Sequence, residues 1–242
     1  MSENKVNIFQ LAIALGIISA VATAALMGVS QLTSAPIKMQ KIKATNDALK
    51  MVLPEFDNNP TEKKIIVGED EEGKIVIDLE SNLIKNNKLS SLINKIILYP
   101  AFKGSELVGI AGEGISPKGF GGDVKAMLGM KPDGSIITGI ITAHQETPGL
   151  GTNITDRVRA KTIFDILGMG EKVDESKLPP NAILDQFNNK VATKKVWRVK
   201  KDGGDIDYIT GATISSRAVT DAFYKIASAF TLNKEKIITL LK

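Results

Sequence analysis

In the stretch Asp207-Tyr208-Ile209-Thr210-Gly211-Ala212-Thr213-Ile214-Ser215-Ser216, hydroxyl side chains flank a Gly-Ala pair just ahead of a helical pattern. The apolar residues Ala218, Val219, Ala222, Phe223, Ile226, Ala227 and Phe230 follow the helical period and make one buried stripe. The segment before them is rich in Gly and Asp and reads as a loop or strand end. Thr213, Ser215 or Ser216 can each serve as N-cap. Such a junction suits a phosphate, because free backbone N–H groups and the positive end of the helix dipole converge there. Gly211 lets the backbone come close. An ordinary Ser/Thr cap satisfies the same pattern, so the residues alone leave both readings open.

The second stretch that could do chemistry is His144-Gln145-Glu146-Thr147-Pro148-Gly149-Leu150-Gly151, after an apolar segment. Alone it reads as a Pro-Gly turn. His144 either relays protons or anchors the loop through a hydrogen bond, and it is assigned no catalytic role.

An Asp, two residues, then Thr-Gly-Ala-Thr is similar to the flavinylation motif of the FMN-binding domain family. That family includes the G subunit of the Rnf complex and the C subunit of the sodium-translocating NADH:quinone reductase. The resemblance implies one FMN per chain, joined to Thr213 by a phosphoester that a separate flavin transferase makes. Asp207, Thr210, Gly211 and Ala212 complete the motif, with Ser215 counted beside them. Glu146-Thr147-Pro148-Gly149-Leu150-Gly151 resembles the family's second signature, a loop that lies against the isoalloxazine ring. Pro148 would stiffen that loop, and the glycines would let main-chain groups reach the ring edge. Leu150 would offer an apolar surface, while Glu146 and Thr147 would supply hydrogen bonds.

The resemblance implies an electron-carrying subunit of a translocase, not a free-standing catalyst. Thr-Gly-Ala-Thr-Ile-Ser-Ser followed by Arg-Ala-Val is similar to the Rnf G pattern. That implies other membrane subunits as partners and a complex that oxidises reduced ferredoxin with NAD⁺ while moving sodium ions or protons. The quinone reductase C subunit shares both motifs and is the nearest alternative. A membrane-tethered binding or assembly module without cofactor is a reading of another class, in which Thr213 is only a cap. A flavin domain of some other membrane regulator or reductase is a third; the lack of Cys motifs or further membrane segments speaks against it.

Composition narrows the chemistry. The 242 residues carry a net charge of +4 spread along the chain, which gives no nucleic-acid footprint. There is no Cys and one His. Cys-ligated iron–sulfur clusters, Cys-type zinc sites and disulfides are excluded, so electrons would have to travel on an organic cofactor.

The elements that must position these stretches begin with an uncharged run, residues 6–37, between Lys5 and Lys38. Residues 8–29 are apolar over a length that spans a bilayer, which takes about 20 residues. Gly16, Ser19, Ala20, Ala24 and Gly28 would let another transmembrane helix approach. Ala22-Thr23-Ala24 resembles a signal-peptide cleavage site, but the length favours a retained single-pass anchor. Lys38, Lys41, Lys43 and Lys50 would by the positive-inside rule keep the following domain in the cytoplasm. The resemblance implies the opposite, a C-terminal domain outside the cytoplasmic membrane, and the expectation follows it.

The fold class expected is α+β: an N-terminal transmembrane helix, then a mainly antiparallel-sheet FMN-binding domain with flanking helices. The division expected is an anchor at 1–35, a membrane-proximal helix and connecting region at 36–94, and the FMN-binding domain at 95–242. Residues 36–53 predict a helix that ends before Pro54. Residues 65–67 and 75–77 predict a hairpin, and 81–94 a helix or irregular chain. Strands are predicted at 96–102, 106–111, 124–130 and 135–143. The glycines at 112, 114, 119, 121 and 122 serve tight turns or close packing, since no dinucleotide fingerprint accompanies them. Residues 154–167 predict a helix, 171–180 a polar connector and 181–187 a short helix or turn. Residues 191–200 alternate Val and Trp with Lys and Arg, which predicts a strand with a basic face. That face is a solvated edge or a dock for an acidic partner.

Overall fold

The computed structural model describes residues 8–155 and 179–241. Two compact units divide at Asn46/Asp47. In the first lies most of α1 (Ile8–Val52), whose segment Ala12–Val52 is long and apolar enough to cross a membrane. Phe9, Leu15, Ile18 and Leu26 are exposed along it. The hydroxyls of Thr23 and Thr33 donate to the carbonyls of Ser19 and Val29, both at 2.8 Å, so neither is left unmet in an apolar medium. The helix predicted over residues 36–53 is present as far as Val52, but it is continuous with the apolar segment and not a separate element. Pro36 lies inside α1, where it removes one hydrogen bond without ending the helix.

The second unit is a six-stranded sheet in the order β2-β1-β3-β4-β5-β6, antiparallel throughout. Its strands are β1 (Ile65–Glu69), β2 (Ile75–Leu79), β3 (Ile93–Lys103), β4 (Glu106–Ser116), β5 (Val124–Met130) and β6 (Ile136–Ala143). The short helix α2 (Glu80–Lys85) resolves the ambiguity after β2. Period-two alternation sends Leu98, Ile110, Leu128 and Met130 to one face and Tyr99, Ala111 and Met127 to the other. On the second face sit Ala48, Leu49, Val52 and Leu53, the last turns of the N-terminal helix and the residue after it. On the first face lies α4 (Thr213–Thr231), with Val219, Phe223, Ile226 and Phe230 fully buried. This is the α+β architecture read from the sequence.

Glycines set the helix-to-sheet distance. β4 runs on to Ser116, past the expected end at 111, because Gly112 and Gly114 belong to the strand. A Cβ on Gly112 would stand 2.2 Å from Ile226 Cγ2, and one on Gly139 would stand 2.4 Å from the Phe223 ring. On the opposite face a Cβ on Gly129 would meet the Val52 carbonyl oxygen at 1.9 Å.

Asn181 caps α3 (Ala182–Asp185), its Oδ1 accepting from the N–H of Ile183 and Leu184, and Leu184 and Phe187 point into the core as predicted. The strand predicted at 191–200 is absent. This segment is an irregular strap whose carbonyls are held by α4: Tyr224 donates to Thr193 O at 3.0 Å and Thr231 to Ala192 O at 3.1 Å. Only Val199 bridges, to Ile206. The alternation was real but reflects Trp197 and Val199 turning inward along the strap, Trp197 against Phe187 and Tyr224. A 3₁₀ turn, Gly151–Ile154, ends where the helix predicted at 154–167 would begin, Thr155 is a turn, and residues 156–167 lie outside the described residues. So do residues 171–178 of the expected connector. The chain closes with α5 (Lys234–Leu241).

Candidate functional site

None of the three predicted hydroxyls caps α4. Ala212 occupies the N-cap position without a side-chain bond, and Thr213 is the first helical residue. Ser216 is used otherwise: its Oγ donates to Ala212 O at 2.9 Å and accepts from Ile209 N at 3.2 Å, tying down the loop before the helix. Ser215 turns inward and donates to Glu146 Oε2 at 2.5 Å. Thr213 is half-buried, and among the described residues its hydroxyl has no hydrogen-bond partner. Among the described residues the N–H groups of Thr213, Ile214 and Ser215 have no backbone acceptor, Ser216 N being the first to find one, on Ala212 O. Gly211 has φ +87°, a conformation L side chains rarely adopt, which swings the chain into the helix. The first turn thus exposes a free hydroxyl and unpaired donors together.

Glu146, at 5% exposure, is the hub beneath that turn. Its Oε1 accepts from Phe120 N at 2.9 Å, its Oε2 from Ser215, and its own N–H donates to His144 Nδ1 at 3.2 Å. The other ring nitrogen of His144, Nε2, lies 3.3 Å from Thr155 Oγ1. His144 therefore anchors the loop. Thr147 closes the turn, its carbonyl accepting from Leu150 and Thr152, and Gly149 has φ +74°. Pro148, Gly149 and Leu150 are exposed. A Cβ on Gly151 would lie 2.8 Å from Glu146 and 3.1 Å from Ser215 Oγ, while one on Gly211 would lie 3.8 Å from Leu150 Cδ2. The two stretches singled out in the sequence are in contact.

Asp207 and Thr210 stay on the exposed approach to the helix. Asp207 Oδ1 pairs with Lys200 Nζ at 2.6 Å, and Gln186 clamps its main chain through both N–H and C=O. Among the described residues no hydrogen bond or ion pair joins Asp207 to Thr213, so their sequence motif is spread along the turn.

A third segment belongs here that sequence reasoning did not place. Residues 117–123, between β4 and β5, lie on the Glu146 loop so closely that a Cβ on Gly121 would be 1.7 Å from Gln145 O. Phe120 is held out at 67% exposure, and Leu150 and Ile214 are also exposed, at 52% and 44%. The glycine cluster was the available signal, but a glycine does not name the segment it packs against. Ser116 and Lys118 fasten this segment to α4, both bonding Asp221 at 2.7 Å. Burial pushes the Asp221 carboxyl up, but hydrogen bonds from Lys118, Lys225 and Ser116 outweigh it and hold it below the usual range.

Comparison with known proteins gives the chain a family. Residues 119–228 match the FMN-binding domain family, a span that contains the Glu146 loop, the first turn of α4 and the segment between β4 and β5 from Gly119 onward. The G subunit of the ion-translocating oxidoreductase complex of Vibrio parahaemolyticus is 33% identical over 226 residues, 92% of this chain and 89% of that protein. Its counterparts in Shewanella piezotolerans and Aliivibrio fischeri are 28% identical over 230 residues, 93% of this chain and 90% of theirs, and 33% identical over 159 residues, 65% and 66%. The chain belongs to the family of the G subunits of ion-translocating oxidoreductase complexes, with an FMN-binding domain as its core.

Proposed function

We propose that Thr213 carries FMN through a phosphoester and that the chain is an electron-carrying subunit of an Rnf-type complex. The observation that carries this is the α4 N-terminus, where a hydroxyl without partner stands beside three backbone N–H groups without acceptors. Those donors and the helix dipole suit a phosphoryl group. Gly211 leaves room for it, since its backbone conformation needs no Cβ. Bound there, FMN supplies one-electron and two-electron transfer.

Apolar Leu150, Phe120 and Ile214 surround the turn and would hold the flat ring system; Glu146, buried and doubly bonded, keeps the Leu150 and Phe120 segments in register. Thr147, Pro148, Gly149 and Gly151 shape the loop that faces the ring, and Asp207, Thr210 and Ala212 form the approach a flavin transferase would read. The relatives are named as subunits of a complex, which supports membrane partners for this chain. For the complex we propose ferredoxin oxidation with NAD⁺ reduction, for α1 a single pass through the cytoplasmic membrane, and for the FMN domain the extracytoplasmic side. Covalent attachment suits that side, where lost FMN is not readily replaced.

The test is ultraviolet fluorescence of the denatured band. Protein from cells with the transferase should fluoresce and gain the mass of one FMN on the Thr213 peptide, and Thr213→Ala should be dark. A dark wild-type band leaves only a tethered α+β module.

A further inference from the structure

Residues 190–217 hold seven basic residues against three aspartates, which is the whole of the chain's formal +4; the rest sums to zero. The three aspartates are each matched locally: Asp202 by Arg217 at 2.6 Å, Asp205 by Lys190 at 2.9 Å and Asp207 by Lys200 at 2.6 Å. Lys194, Lys195, Arg198 and Lys201 are left over, all exposed, and among the described residues no carboxylate pairs with them. Val196 is exposed between them at 53%.

Their arrangement has a direction. The strap passes Thr231 at Ala192, Tyr224 at Thr193 and Trp197, and reaches Arg217 at Asp202. Arg217 is about one helical turn beyond Thr213. Among the described residues, a band of positive charge without a paired carboxylate therefore follows α4 and stops beside the proposed flavin. A single-sign surface of this kind attracts and orients a partner of opposite sign, and electron-transfer contacts are typically small and polar. An electron carrier also needs its partner close to the cofactor, and the band ends where the cofactor would be.

We infer that the strap is a docking face for an acidic protein surface, carried by the subunit that exchanges electrons with this one. This rests on the flavin reading above for its role, though not for its detection. The intact complex, purified from its membrane, is treated with a carbodiimide, which joins lysine amines to carboxylates in direct contact. The expected products link Lys194, Lys195 or Lys201 to Asp or Glu of another subunit. They disappear when Lys194→Glu, Lys195→Glu, Arg198→Glu and Lys201→Glu are combined, while the fluorescence of the chain is retained. Cross-links confined to this chain overturn the inference. So does binding of the wild type, and not the charge-reversed chain, to phosphatidylserine vesicles with no link between subunits, which assigns the band to lipid. Loss of fluorescence in the charge-reversed chain also overturns it, since the band would then serve flavin attachment. The links form without flavin, so a dark wild-type band defeats the flavin assignment alone, and absent links in a fluorescent chain defeat the docking face alone.

Discussion

Ser215 and Glu146 are 69 positions apart and bonded inside the protein, so the floor of the candidate site depends on one hydroxyl and one carboxylate. Ser215→Ala leaves Glu146 Oε2 buried without its donor, which should cost about 1–3 kcal/mol in urea unfolding. Glu146→Gln should cost less than Glu146→Ala. The serine hydroxyl can rotate to accept from the amide, whereas truncation leaves both Ser215 and Phe120 N without a partner. Thr213→Ala, by contrast, removes a hydroxyl that bonds nothing in the fold, so stability should stay within about 0.5 kcal/mol while the fluorescent band is lost. That dissociation of function from stability is what distinguishes an attachment residue from a cap, for which about 1 kcal/mol would go. The sequence identified these residues by type and spacing. It left the capping role open among Thr213, Ser215 and Ser216, none of which takes it, because a hydroxyl at a helix start is equally able to cap, to bond back along the helix or to reach across the fold.

At the scale of elements, α4 is both the core helix and the platform for the site, and glycines let it lie low on the sheet. Gly112→Val would drive a side chain into Ile226 and lift the helix. Overpacking of this sort costs about 1–3 kcal/mol, and it should lower flavin incorporation as well, since Thr213 rides on the same helix. Asp221 ties residues 116–118 to α4 and its carboxyl is held below the usual range. A depressed folded-state pKa contributes stability above the unfolded value that is lost as pH falls through the folded one. The acid limb of a pH–stability profile, below about pH 4, should therefore flatten in Asp221→Asn. Tyr99 is the opposite case. Burial and the adjacent Glu113, which accepts its hydroxyl at 2.8 Å, push it far above its ordinary value, so it remains a donor throughout.

On the scale of the whole chain, the last turns of α1 serve the sheet. A chain starting at residue 42 retains Ala48, Leu49, Val52 and Leu53 over Tyr99 and Met127 and should unfold cooperatively as a domain in the aqueous fraction. One starting at residue 55 strips that face and should be several kcal/mol less stable, about 2–5 for a buried leucine alone. The absence of cysteine makes topology directly testable. Glu71→Cys, on the exposed turn between β1 and β2, is expected to react with a membrane-impermeant maleimide in intact cells; labelling only after permeabilisation would place the domain in the cytoplasm, as the flanking lysines would have it.

The strands, both site stretches and the apolar helix could be read from the chain because they are recorded locally, in two-residue and 3.6-residue periods and in short runs of Gly, Pro and hydroxyl residues. Where those runs meet was not recorded. The contact of Glu146 with Ser215 and the conversion of an alternating 191–200 segment into a strap both involve α4, and the clasp of Phe120's segment on Gln145 joins two connections of the sheet. A glycine permits close approach without naming the neighbour, and a carboxylate accepts whichever donor packing delivers. Only the folded chain supplies those identities.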